Sequence, residues 1–160
     1  MKNFAELERD FVREKVLPEF EFASFDRPSR INPMRIPLRQ ARVALVATCG
    51  AYIRDVQEPF KLRKEGDASF REIPVDTQSG KLGLSHVGYD TRRALQDVNV
   101  VFPLDRLREA ASAGRIGKLA PRNFSFMGFS PDVHALAQNA RDVARRLLED
   151  LVDLVLLVPA

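Results

Sequence analysis

The sequence predicts an α/β domain: a mostly parallel sheet flanked by helices, preceded by an N-terminal helical arm. Three observations predict it. "RVALVATCG" and the final "VDLVLLVPA" are short, nearly continuous apolar runs of the kind that parallel sheets bury on both faces. Between "RNFSFMGF" and the last run lies a long amphipathic segment, so strand, helix and strand follow one another as a βαβ crossover requires. The chain's 160 residues, 45% apolar and 29% charged, suit one such domain, which would bury about 70% of the unfolded surface.

The elements can be justified in order. Residues 2–16 set Phe4, Leu7, Phe11 and Val16 near one face of a helix that Pro18 ends. Pro18, Pro28, Pro33 and Pro37 then make residues 18–40 an arm or wrapping loop, so the division expected is 1–40 for helix and arm and 41–160 for the α/β domain. Val43–Ala47 is a strand ending at Thr48-Cys49-Gly50, and 54–68 is a polar loop. "SFREIP" and "KLGLSH" flank the turn "DTQSG" and are expected as strands that can pair in a hairpin. A short helix or turn follows "YD", then an apolar strand at Val98–Phe102 and a helix from Leu104 to Ala113 that Gly114 stops. "RNFSFMGF" alternates as a strand. Ser130 as N-cap and Pro131 in the first turn open the clearest helix, whose stripe runs Val133, Leu136, Ala137, Ala140, Val143, Ala144, Leu147 and Leu148.

Composition narrows the function. The formal charge is only +3, and the basic residues come as pairs, Arg92-Arg93 and Arg145-Arg146, so no nucleic-acid partner is expected. No apolar run approaches the roughly 20 residues of a membrane span. The charged, helically spaced N-terminus is not a signal peptide, which makes a cytoplasmic protein the expectation. One cysteine precludes an internal disulfide, and two histidines make a structural zinc site unexpected. No GxGxxG or GxxxxGK[ST] loop opens a helix, so no nucleotide cofactor is indicated.

Candidate chemistry gathers near strand ends. Cys49 closes a buried strand beside Gly50, where α/β folds place ligands and nucleophiles; a small buried hydrophobe is the other reading. "SHVGYDTRRALQDVN" concentrates His86, Tyr89, Asp90, Arg92, Asp97 and Asn99. A histidine oriented by Asp90 would serve proton transfer; the alternative is a hydrogen-bonded loop whose aspartates cap local backbone. Arg122 can hold a carboxylate bidentately or form an ordinary ion pair. His134, in the first turn of the long helix, is expected half-buried, with a lowered proton affinity. On these grounds Cys49, His86 and Asp90 are candidate catalytic residues, and Asp97, Asn99, Arg122 and His134 candidate substrate-binding residues.

"GDASFREIP", "SHVGYDTRRALQDVNVVFPLDRLREAASAGRIGKLAPRNFSFMGF" and "PDVHALAQNARDVARRLLEDLVDLVLLVPA" together resemble a known family. It is the selenoprotein B component of the glycine/sarcosine/betaine reductases, with D-proline reductase as a relative. The resemblance covers about Arg42 to Ala160. It implies thiol- or selenol-dependent reductive cleavage of a small amine or amino acid, carried out with other reductase subunits or a thiol-reducing protein. The family's redox centre pairs a selenocysteine or cysteine with a second cysteine directly after the segment matching "LVLLVPA". This chain is therefore expected to be cut before that motif and inactive alone. The alternative is a non-catalytic α/β module binding a small anion or a protein partner, and a terminal apolar edge strand is compatible with a homodimer under either reading.

Overall fold

The structure, a computed structural model, describes residues 2–15, 17–22, 32–63, 66–130 and 132–160. Val16, residues 23–31 of the expected arm and Pro131 lie outside the described residues. The chain divides into Met1–Asn32 and Pro33–Ala160. In the first unit α1 spans Phe4–Lys15. Asn3 starts it with a capping box: its side chain accepts from the Glu6 amide at 2.9 Å, and Glu6 accepts from the Asn3 amide at 2.9 Å. The apolar stripe expected of this helix is present, but Phe4, Leu7 and Phe11 are all exposed.

The second unit is an α/β fold built on β1 (Arg42–Ala47), four of whose six residues are buried. The chain then forms β2 (Ala51–Ile53), β3 (Phe70–Pro74), β4 (Leu82–Leu84), α2 (Thr91–Ala94), α3 (Leu104–Ser112), β5 (Lys118–Leu119), β6 (Arg122–Phe126), α4 (Val133–Glu149) and β7 (Leu154–Val158). Along one side of β1 run β5 and then β6, both parallel to it, and along the other runs β7, parallel from Val43↔Leu154 to Ala47↔Val158. Antiparallel β3 closes the β6 side, in register from Phe70↔Phe126 to Pro74↔Arg122. Pro74 is tolerated there because an edge strand has an outward-facing N–H to lose. Asn123, fully buried, repairs the ladder where β5 gives way to β6. Its Oδ1 accepts from the Leu45 amide at 2.9 Å.

Two layers cover the sheet. On one face Leu45, Ala47 and Ile73 pack with Ala94, Val98, Phe102 and Leu104 from the α2–α3 region and with Leu82 and Leu84 of β4. Burying a side chain such as the inaccessible Phe102 contributes about 1.5–3 kcal/mol. On the other face α4 sets Val143, Leu136 and Leu147 against Phe124, Phe126, Phe70 and Val46.

Four expectations are corrected. "SFREIP" and "KLGLSH" do form β3 and β4, but they do not make a hairpin: β3 pairs with β6, while β4 pairs antiparallel with β2 in a separate two-stranded sheet. Val98–Phe102 is no strand. Asp97 accepts from the Asn99 amide at 3.0 Å and starts a 3-10 turn over Val98–Val100, while Val98 and Phe102 anchor it in the core. Asp132, not Ser130, caps α4, accepting from the Ala135 amide at 2.9 Å. Most consequential, β7 is an edge rather than an interior strand. Among the described residues it pairs only with β1, and α4 lies over β6, β3 and β1, so Leu157 stays 70% exposed.

Candidate functional site

Because β1, β6 and β7 are parallel, their carboxyl ends open at one edge of the sheet, the edge where open α/β sheets place ligands. β1 leaves through Thr48-Cys49-Gly50, β6 through Met127-Gly128 and β7 through Pro159-Ala160. Thr48 fastens the first exit to the third. Its amide donates to the Val158 carbonyl at 3.0 Å, and its Oγ1 accepts from the Ala160 amide at 3.0 Å. Ser125, buried in β6, accepts from the Ala51 amide at 2.8 Å and so sets the bend from β1 into β2.

Two glycines let the loop after β4 come against these exits. Gly50 has φ +69°, and a Cβ there would sit 2.0 Å from the Ser85 carbonyl oxygen. Gly128 has φ +84°, and a Cβ there would sit 2.5 Å from the Thr48 carbonyl and 2.8 Å from His86 Nε2. The loop so held carries the sequence-predicted cluster. His86 Nδ1 accepts from the Gly88 amide at 2.8 Å, which places the ring proton on Nε2. Nε2 is buried facing the Thr48 carbonyl without a well-formed hydrogen bond. Burial lowers the imidazole's proton affinity, an effect the Thr48 carbonyl partly offsets. The His86 ring lies against Tyr89, centroids 4.6 Å apart, and the Tyr89 hydroxyl donates to the Cys49 carbonyl at 2.6 Å. Burial pushes the phenol's pKa up, so Tyr89 acts as a hydrogen-bond donor rather than an anion.

Beyond Tyr89 opens a cleft of about 690 Å³. Tyr89, Asp90, Arg93, Gln96 and Asp97 form its polar wall, Val100 and Val101 its apolar floor, and Pro159-Ala160 its rim at the exit of β7. Asp90 caps α2, and its bond with Arg92 holds its carboxyl below the usual range. Asp97 is held low by hydrogen bonding to Asn99. Both carboxylates are thus charged at neutral pH. One wall offers two anions, one guanidinium and an amide. That set can hold a small molecule bearing both an amine and a carboxylate.

Of the candidates read from the sequence, the structure places Asp90 and Asp97 on the cleft wall and His86 against Tyr89 of that wall. It commits the others elsewhere. Cys49 is fully buried, its Sγ 3.7 Å from Ser125 Oγ, and desolvation pushes its thiol pKa up. Asn99 spends its amide on Asp97 and Asp105 in a network with Ser79 and Arg108. Arg122 begins β6, at the opposite edge of the sheet. It donates to Asp150 at 2.8 and 2.9 Å and to the Arg146 carbonyl at 2.9 Å, and the Asp150 carboxylate holds its charge more firmly still. His134 is exposed rather than half-buried and does not line the cleft. Arg93, Thr48 and Ser125 were not singled out from the sequence. In the sequence Arg93 stands only as half of a basic pair. Thr48 beside the singled-out Cys49 was the available signal for the second; nothing local marks Ser125. Among the described residues no three His, Cys, Asp or Glu side chains meet as a metal site, and no helix is long and apolar enough to cross a membrane.

Fold and site together define a class: an α/β protein with a cleft at the carboxyl edge of a mostly parallel sheet. Sequence comparison then gives the family. The model of glycine/sarcosine/betaine reductase selenoprotein B matches residues 7–160, and the chain belongs to that family. It is 38% identical over 127 residues to the D-proline reductase subunit gamma of Acetoanaerobium sticklandii, covering 79% of this chain and 51% of that protein. It is 30% identical over 148 residues to the glycine reductase complex component B subunit gamma of Carboxydothermus hydrogenoformans, covering 90% of this chain and 33% of that one. A betaine reductase complex component B subunit beta of Peptoclostridium acidaminophilum is 27% identical over 148 residues, again 33% of its length. The chain thus spans between a third and about half of these relatives. No solved structure matches it.

Proposed function

We propose that this chain is the substrate-cleft portion of a B-type reductase subunit, acting in thiol- or selenol-dependent reductive cleavage of a small amine or amino acid. The observation that carries the reading is the cleft joining the Tyr89–Asp97 wall to the exit of β7. Substrates of the glycine, sarcosine, betaine and D-proline class carry a carboxylate beside an amine or ammonium, and the wall holds complementary groups. Arg93 takes the carboxylate, and Asp97 faces the positive nitrogen, with Asp90, paired to Arg92, adding negative charge beside it. In the simplest balance the C–N bond breaks, carbon and nitrogen each gain a hydrogen, and a dithiol or selenol–thiol pair supplies two electrons and two protons as it becomes a disulfide or selenosulfide.

Within this sequence the only thiol is the buried Cys49, whose raised pKa suits a structural role. Cys49 is therefore not assigned to the reducing pair, and the chain is assigned to act with another reductase subunit or a thiol-reducing protein. The relatives bear the names of complex subunits, which supports such partners. The outer edge of β7, with Leu156 38% and Leu157 70% exposed, is the surface assigned to that subunit.

The test is titration of the full chain with glycine, sarcosine, betaine and D-proline, followed by two-dimensional NMR. Expected are shifts confined to Tyr89, Arg93, Asp97 and Ala160, abolished by Arg93→Gln. Shifts elsewhere, or none with any of the four, would overturn the reading.

A further inference from the structure

We propose that His86 is a positioning residue of the cleft: neutral, it latches the wall that carries Tyr89 and Asp90, and protonated it releases that wall. The proposal deepens the reading of the cleft as the substrate site and, for its effect on binding, rests on it.

The ring is fixed from three elements at once. From its own loop, the Gly88 amide donates to Nδ1 at 2.8 Å. From the end of β1, the Thr48 carbonyl faces Nε2, and from the end of β6, Gly128 packs so closely that one added carbon would lie 2.8 Å from that nitrogen. The ring face rests on Tyr89. Tyr89 is then tied by its hydroxyl to the Cys49 carbonyl, and both Tyr89 and Asp90 line the cleft.

A proton on Nδ1 changes one thing decisively. The nitrogen ceases to be an acceptor, so two N–H groups would face each other across 2.8 Å. That contact closes the turn from His86 to Gly88, and opening it carries Tyr89 and Asp90 away from the wall. The surroundings do nothing to favour the imidazolium. Tyr89, from the same loop, keeps its proton, and its partner Cys49 keeps its own. Thr48 presents a carbonyl and Gly128 no charge, while Asp90 is turned to Arg92. Among the described residues no carboxylate forms an ion pair with His86. Burial accordingly moves its pKa below the ordinary 6.5. The latch is closed at neutral pH and opens as the solution turns acid.

The sign for stability follows. Between 6.5 and the lower folded value the unfolded chain binds the proton and the folded chain does not. The contribution of His86 is therefore complete above 6.5 and declines as pH falls through that window.

The test uses the full chain in three forms. His86→Asn keeps an acceptor near the Nδ1 position without a group that titrates, and His86→Phe removes the acceptor. In the wild type, nitrogen NMR is expected to show the Nε2-protonated tautomer at neutral pH, with the Gly88, Tyr89 and Asp90 amides shifting along the imidazole's own titration. His86→Asn should abolish that shift. Affinity for D-proline or glycine should fall roughly tenfold or more between about pH 7 and about pH 5 in the wild type and less than about twofold in His86→Asn. His86→Phe should bind weakly throughout. A proton on Nδ1, or Tyr89 and Asp90 amides that stay still while the ring titrates, would overturn the latch. If the amides follow the ring but no amino acid binds at any pH, the latch stands and the substrate reading fails; binding that ignores pH defeats the latch alone.

Discussion

Gly50→Ala should be among the most destabilising single-methyl additions in this chain, and the structure allows the effect to be divided into parts. The first part is conformational. At φ +69° an L side chain costs about 1–2 kcal/mol. The second part is contact. The new Cβ would lie 2.0 Å from the Ser85 carbonyl oxygen, and real Cβ atoms essentially never come closer than 3.0 Å, so Ser85 must retreat by about 1 Å, 3.0 − 2.0. Ser85 is held by its amide bond to the Gly50 carbonyl at 2.9 Å and by its hydroxyl's bond to the Phe60 carbonyl at 2.8 Å. Losing or lengthening these adds about 1 kcal/mol each. The sum is roughly 3–4 kcal/mol, a fall in Tm of roughly 10 °C for a chain of this size. Two controls isolate the parts. Gly114 has φ +67° with open space around it, so Gly114→Ala should show the conformational part alone, about 1 kcal/mol. Gly80 is neither strained nor crowded, and Gly80→Ala should be near neutral or slightly stabilising, by about 0.5 kcal/mol. Urea unfolding of all three, read at a common m-value, checks the order. A Gly50→Ala variant no less stable than Gly114→Ala would refute the close approach of the loop after β4 to the β1 exit.

Three other outcomes follow from the same geometry. Cys49 should react with iodoacetamide only slowly in the native chain, its rate still climbing with pH past its ordinary 9.0 rather than levelling off there, and far faster in urea; prompt native alkylation near pH 7 would contradict its burial. Arg122→Ala leaves both the Asp150 carboxylate, only 11% exposed, and the Arg146 carbonyl without the guanidinium that donates to them, so unfolding measurements should show a loss of roughly 1–3 kcal/mol with amino-acid binding unchanged. Leu157→Lys removes little buried area, so stability should hold within about 0.5 kcal/mol while pull-down of the other reductase subunits fails; light scattering that shows a dimer dissolving instead would assign the β7 edge to a second copy of this chain.

What the sequence made legible was local. β1, β6, α3 and α4 each announce themselves through periodicity and a boundary residue within one window, and all four exist. Pairing is not local. β3 meets β6 more than forty residues further on, and the turn "DTQSG" carried no sign that its two flanking strands would part into different sheets. The three-residue β2 and two-residue β5 are too short for any pattern to emerge. "VNVVF" misled because its apolar residues serve a capped turn: Asp97 accepts from the Asn99 amide that a strand would have paired, and Asn99 in turn accepts from the Asp105 amide in the first turn of α3. The same distinction governs the site. His86, Tyr89, Asp90 and Asp97 were visible because they crowd one segment. Thr48, Ser125 and Gly128 reach the same place from other strands, and only the sheet's register brings them there.

The position of β7 joins the two halves of the functional reading. One side of this strand is fully paired with β1, and its end rims the cleft; the other side is unpaired among the described residues, and Leu156 and Leu157 project exposed from its two faces. A strand running five apolar residues without a charge, a proline or a bulge lacks the devices that protect an edge from pairing. Whatever strand adds there extends the same sheet, and its own end comes to lie beside Pro159-Ala160, a strand spacing of about 4.8 Å away. If the proposed subunit docks on this edge, its docking and the completion of the cleft would be one event rather than two. A subunit that delivered reducing equivalents from any other surface would have to reach the cleft past the Tyr89–Asp97 wall, which His86 and Asp90 hold in place. The open edge is the shorter way in.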